Sequence, residues 1–247
     1  MPPSLSNWLG AFLPRLCTSA RKGERITIYK KNPLKEKKMI ETLFKKRFHT
    51  KYFNEEIPDK EIIHGLIQKT YELVPSKQLI VPYKVEVLGP DRKKDIIRVR
   101  EFCMNYTGEH YKSDKGTIQM IAPYLLLFTT RHIKDHEISE AMKERLSKNR
   151  GSYHSIRSPH KITATHHVEV GMFAAILTGL CIENGVSTAY SMCMPGQKHE
   201  AWEKIHDIVK GKMLFIMSLG YTDMTEPRPW VLSGKECKPP IENVIKI

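Results

Sequence analysis

Two strand-length runs, Tyr124–Thr130 (YLLLFTT) and Lys212–Gly220 (KMLFIMSLG), are apolar with no alternation. A strand with one wet face alternates with period two, whereas an unbroken run needs cover on both faces. The pattern predicts two buried strands, with YLLLFTT at the centre of its sheet. Tyr83–Leu88 (YKVEVL) alternates, is rich in β-formers and ends at Gly89–Pro90, which predicts a third strand. Helices are expected between them. One spans Met39 to about Lys46. A second starts at Pro58–Asp59, with Asp59 as its cap and Ile62, Ile63, Leu66, Ile67 and Leu73 as its buried stripe. Others run from Asp91 to about Met104, Asp135–Lys148, Val168–Glu183 and Lys198–Val209. Arg47–Phe53 reads as extended, Asn149–Thr165 as a polar loop, and the proline-punctuated tail from Glu226 as irregular. Strands separated by long helices make a layered α+β architecture.

The 247 residues divide into two segments of different character. Residues 1–38 hold nine Lys/Arg against two Glu, so +7 of the net +13 lies there and +6 is left for the domain, residues 39–247. Such an excess attracts phosphates, nucleic acid or anionic lipid, and equally describes a solvated basic tail. Leu5, Trp8, Leu9, Phe12, Leu13 and Leu16 form one helical stripe, and no acid precedes Glu24. The stripe and the charge resemble an organellar transit peptide; Pro14 interrupts the helix, and an N-terminal arm is the alternative. The location is cytoplasmic, or the mitochondrial matrix if the segment is a transit peptide. No apolar run approaches the roughly 20 residues of a membrane span, because Thr178, Gly179 and Glu183 break the longest stretch, Met172–Ile182. A soluble domain is expected. Cys17, Cys103, Cys181, Cys193 and Cys237 include no C-x-x-C pair, which favours a reducing compartment.

The segment most informative about chemistry is Lys45–Pro58 (KKRFHTKYFNEEIP). Residues two apart in an extended chain point the same way, so Arg47, His49 and Lys51 present three nitrogen-bearing side chains to one side. A phosphate dianion asks for such a set: a guanidinium fork, an ammonium and one more donor. A basic surface strand has the same spacing.

Arg47–His49–Lys51, with Phe53 and Ile57–Pro58 behind it, resembles the opening motif of the nitroreductase family of FMN enzymes. Further motifs follow in the family's order. They are Pro75–Ser76, Pro82–Tyr83 entering a strand, Ala122–Pro123 before YLLLF, the helix and turn Glu169–Tyr190, and a closing strand with Pro227–Arg228–Pro229 and a basic tail. The resemblance covers residues 39–247. It implies a mainly antiparallel central sheet flanked by helices, an interlocked homodimer, and flavin sites at the subunit interface. It also implies FMN as cofactor, NADH or NADPH as co-substrate, and hydride transfer to a nitroaromatic, quinone or similar acceptor. No residue acts as nucleophile; the flavin carries the hydride. Arg47, His49 and Lys51, with Lys235 or Lys238, would hold the phosphate. Ser76, Leu79, Ser191, Met192 and Cys193 would lie along the ring. His49 stands where the family has a small hydroxyl residue, which ties phosphate affinity to the ring's titration. Leu79 and Val81 replace polar ring contacts, and the turn after Gly185 lacks the family's Glu-Gly pair.

Rival readings rest on other residues. His132 and His136 lack the glutamate of a metalloprotease helix, and His154, His160, His166 and His167 have no nearby cysteine to complete a zinc site. They read as loop histidines lining a pocket. Cys181 reads as core and Cys193 as pocket lining. Two alternatives keep the domain without the redox activity: a flavin-free structural or interaction subunit, and a nucleic-acid-binding protein acting through the basic N-terminus.

Overall fold

A computed structural model describes residues 41–104, 118–148, 160–195, 200–225, 240 and 244–245, all within one compact unit, Ile40–Ile247. Lys235 and Lys238 lie outside the described residues, as do His154 and the N-terminal segment 1–38.

A helical turn at 41–45 leads into the extended segment 47–54. Helix α1 spans Lys60–Leu73, and Asp59 caps it by accepting the Glu61 amide at 2.9 Å. Its buried stripe is Ile63, Leu66 and Thr70. Ile62 and Leu73, expected inside, are 42% and 56% exposed, because α1 turns only a narrow face to the core. Strand β1 is Tyr83–Leu88, α2 Lys93–Met104 and β2 Tyr124–Thr130. Helix α3 covers Glu140–Lys148, α4 Ala164–Glu183, β3 Ser187–Ser191 and β4 Met213–Gly220. Between β3 and β4 the expected long helix is the short 3-10 segment Glu200–Ile205.

The sheet order is β1-β2-β4-β3 and every pairing is antiparallel. All seven residues of β2 are buried, as its unbroken apolar run requires. On one face Tyr124, Leu126 and Phe128 meet α1 and α4 through Ile63, Leu66, Phe173 and Leu177. On the other, Leu125 and Leu127 meet α2 and the Glu200–Ile205 segment through Ile96, Val99, Phe102 and Ile205. Three layers result. Gly211 permits the close approach of β4 to β2, since a Cβ there would lie 2.1 Å from the Thr130 carbonyl oxygen.

Helix α4 starts at Ala164, four residues before the expected Val168, because His166 makes a reciprocal cap with Thr163. The earlier start gives 20 residues, which match a membrane span in length and composition despite the interruptions in the sequence. In the fold α4 lies against the sheet with Val170, Phe173, Ala174, Leu177 and Cys181 buried.

Candidate functional site

The site is built at the β3 edge of the sheet. The extended segment reaches that edge through the Thr50 amide, which donates to the Thr188 carbonyl at 3.1 Å. Tyr190 is the anchor. Its hydroxyl is hydrogen-bonded to Thr178 of α4, and its ring packs on Phe215 with centroids 5.3 Å apart. The Arg47 guanidinium sits over that ring, 5.0 Å from its centroid, a cation–π arrangement. The Tyr190 amide donates to Nδ1 of His49 at 3.4 Å.

Burial, then the charges of Lys51, then those of Arg47, push the His49 pKa from 6.5 down to about 4. Both cations therefore act on the imidazole, and Arg47 and His49 meet at Tyr190. At neutral pH the ring is uncharged. With Nδ1 accepting from Tyr190, the neutral ring carries its proton on Nε2, which leaves one N–H to donate. Titration near neutral pH, expected from an ordinary histidine, is replaced by titration near 4. An adjoining crevice of about 190 Å³ is lined by Lys46, Arg47, Thr50 and Thr188.

The depressed pKa has a stability consequence. Between pH 6.5 and about 4 the unfolded chain binds a proton at His49 that the folded chain refuses. Stability therefore falls as pH drops through that window and does not change above it on this account. The urea midpoint of the wild type is expected to decline from pH 7 to pH 4 more steeply than that of His49→Gln. Parallel declines would remove His49 as the cause.

Ser191, Met192 and Cys193 continue from Tyr190 at the end of β3. The Ser191 hydroxyl is buried with no hydrogen-bond partner, Met192 is 61% exposed and Cys193 is half-buried. Ser76 and Leu79 lie elsewhere: their loop enters β1, which is separated from β3 by β2 and β4. The hydroxyl of Ser76 donates to Glu169 at 2.8 Å. Leu79 is 87% exposed and has φ of 60°.

Tyr190 and Glu169 were not singled out by sequence. Both sit in segments whose motif was read, but each acquires its role from a residue far away in the chain. Cys181 is fully buried, and burial pushes its thiol up to about 12, which makes it inert core. His166 is buried as a helix cap, while His160 and His167 are exposed. Among the described residues, no three His, Cys, Asp or Glu side chains are grouped to hold a metal ion.

Compared by sequence, the chain matches no protein-family model and no curated protein. Compared by structure, it is similar to a nitroreductase family protein from Streptococcus pneumoniae TIGR4, with a TM-score of 0.55 and 17% identity over 83% of this chain and 98% of that one. A nitroreductase with bound FMN from Desulfitobacterium hafniense DCB-2 aligns with a TM-score of 0.55 and 13% identity, over 84% and 97%. Nitroreductase CinD from Lactococcus lactis, in complex with nicotinic acid, gives 0.57 and 10%, over 85% and 98%. These alignments take in nearly the whole of each neighbour. The antiparallel sheet, its three layers and its strand order are thus those of a known architecture: the chain has the nitroreductase fold.

Proposed function

We propose that this chain binds FMN and passes hydride from NADH or NADPH through it to an oxidised acceptor such as a nitroaromatic or a quinone. One observation carries the reading: the Arg47 guanidinium over the Tyr190 ring and the His49 imidazole against the Tyr190 amide, with the charge of Lys51 also acting on that imidazole. A guanidinium, an ammonium and a neutral N–H suit the phosphate of a mononucleotide. The fold, and the FMN bound to the Desulfitobacterium neighbour, support the same ligand. When bound, the flavin supplies the ring nitrogen that takes and returns hydride; the protein supplies binding, orientation and exclusion of water.

The residues fit such a group. Ser191 has a buried hydroxyl in need of a partner, a need a polar ring atom meets. Met192 and Cys193 are assigned to the ring beside it, and Lys235 and Lys238 to the phosphate. Ser76 and Leu79 belong to the opposite edge of the sheet, so their part in the site is assigned through a second copy of the chain. A homodimer is also favoured by α4. Val168 is 59% exposed on it, and Met172, Ile176 and Leu180 are only half-buried, which leaves an apolar stripe for a partner to cover. The basic residues 1–38 are given no role in the flavin site.

The absorbance spectrum of the purified full chain tests the reading. Flavin bands and release of FMN on denaturation are expected, with bleaching on addition of NADH or NADPH. Colourless protein that FMN fails to reconstitute would overturn it and favour an interaction role.

A further inference from the structure

Two neighbouring residues of α4 reach across to the same arginine. The first is Thr178, 1% exposed, whose hydroxyl donates back to the Ala174 carbonyl at 2.7 Å. A hydroxyl has one proton to give and lone pairs to accept with. With its proton committed to the helix, the Thr178 oxygen is left to accept, and the group that reaches it is the Tyr190 hydroxyl. The Ala174 carbonyl lies 3.4 Å from the Tyr190 oxygen, too long to serve as a full substitute. The phenol is thus tied at its tip to the core helix. The second residue is Gly179, where the helical turn before Arg47 rests. A Cβ added at Gly179 would meet the Phe44 ring at 3.7 Å and the Leu43 side chain at 3.9 Å, and the Arg47 amide donates to the Phe44 carbonyl at 3.1 Å.

The ring between these two mounts is shared. The Arg47 guanidinium lies 5.0 Å from the Tyr190 centroid, the His49 ring meets it in a T-shaped contact at 6.4 Å, and Phe215 packs at 5.3 Å. Arg47 itself is exposed, and among the described residues no carboxylate pairs with it. A long cationic side chain in such a place ordinarily samples many rotamers. What limits this one is the aromatic face it stands on. The tilt of that face is set by the hydrogen bond at the far end of the phenol. Without that bond the ring can rock, and the guanidinium with it.

We propose that Thr178 is a positioning residue: from inside the core it fixes the Tyr190 ring, and through that ring it sets the place of the Arg47 guanidinium for the ligand's phosphate. The role rests on the FMN reading above. Thr178 itself touches no ligand, and Gly179 seats the main chain of the same arginine at the next position of the helix. A binding group fixed beforehand lowers the ordering cost of association. The gain belongs to the phosphate that Arg47 meets and not to the flavin ring.

The test uses the full chain as wild type, Thr178→Val, Thr178→Ser, Tyr190→Phe, Arg47→Ala and the double variant Thr178→Val/Arg47→Ala. Affinity is read by fluorescence titration for FMN and for riboflavin, which has the same ring system and no phosphate. Thr178→Val is expected to weaken FMN binding about three- to tenfold, the scale of one neutral hydrogen bond, and to leave riboflavin within about twofold of wild type. Serine keeps the hydroxyl, so Thr178→Ser is expected to hold both ligands within about twofold. Tyr190→Phe removes the other end of the bond with no change in α4, in case Thr178→Val fails to fold, and is expected to match it. In the Arg47→Ala background Thr178→Val is expected to cost nothing more, as two residues acting through one contact require. A merely structural threonine would lower both affinities together, with or without Arg47. Unchanged FMN affinity in both Thr178→Val and Tyr190→Phe, equal losses for FMN and riboflavin, or a loss that persists without Arg47 overturns the role and leaves the flavin reading standing. Failure of the wild type to bind either flavin sinks that reading and the role with it.

Discussion

Arg47→Ala is expected to weaken FMN binding by about 10- to 100-fold, the loss of one hydrogen-bonded charge worth roughly 1.5–3 kcal/mol. The guanidinium is pre-placed: its stacking on Tyr190, 5.0 Å from the ring centroid, holds the fork before any ligand arrives. Arg47→Lys keeps the charge and loses both the stack and the bidentate geometry, so an intermediate loss is expected. His49 cannot compensate for the missing cation, because burial and the charge of Lys51, the two larger causes of its lowered pKa, remain in the variant. Lys31→Ala serves as control. It removes one positive charge from the basic N-terminal segment and is expected to leave affinity within about twofold, since long-range attraction between exposed charges is screened by salt. Fluorescence titration reads both variants. Equal affinity in Arg47→Ala and Lys31→Ala would withdraw Arg47 from the phosphate site.

Phe128→Ala is expected to destabilise the domain by about 3–5 kcal/mol, the usual range for emptying a packed aromatic site. Phe128 is fully buried on the central strand and touches three aromatic rings: Phe173 of α4 at 5.4 Å, Phe215 of β4 at 5.8 Å and Tyr83 of β1 at 6.2 Å between centroids. Its neighbours belong to three different elements, two of them strands fixed on either side of β2, so they cannot collapse into the space it leaves. Total stability for a domain is about 5–15 kcal/mol, and such a loss consumes much of it. The urea midpoint should drop with little change in slope. The same change reaches the site indirectly, because Phe215 is also the ring on which Tyr190 rests. A loss under about 1 kcal/mol would mean that the aromatic cluster is not the centre of the core.

The elements read most faithfully are those whose signal is local and strong. β1 has the expected bounds, β2 is central, and Asp59 caps α1 as its side chain and position dictate. The misreadings have identifiable causes. Ser187–Ser191 is short and polar and sits at the sheet edge, so it lacks the apolar run that marks an inner strand. Ile62 and Leu73 are apolar at helical spacing yet exposed, since periodicity places a stripe without stating how wide the facing surface is. The start of α4 was set too late because a histidine at the third position of the cap is not part of the usual capping signal.

The same division runs through the site. That Arg47 and His49 can meet at one place follows from their two-residue spacing along an extended chain, and the sequence by itself determined that much. It also determined that two strands must be covered on both faces, because an unbroken apolar run admits no wet side. Only the tertiary structure decided that Tyr190, 141 residues beyond His49, would fix the imidazole's tautomer and carry the guanidinium. It alone decided that Glu169, 93 residues beyond Ser76, would hold a strained loop from inside the core. The reason is physical. Alternation and capping are set by covalent neighbours within a turn of chain, whereas desolvation and hydrogen-bond pairing depend on which distant surfaces exclude water together.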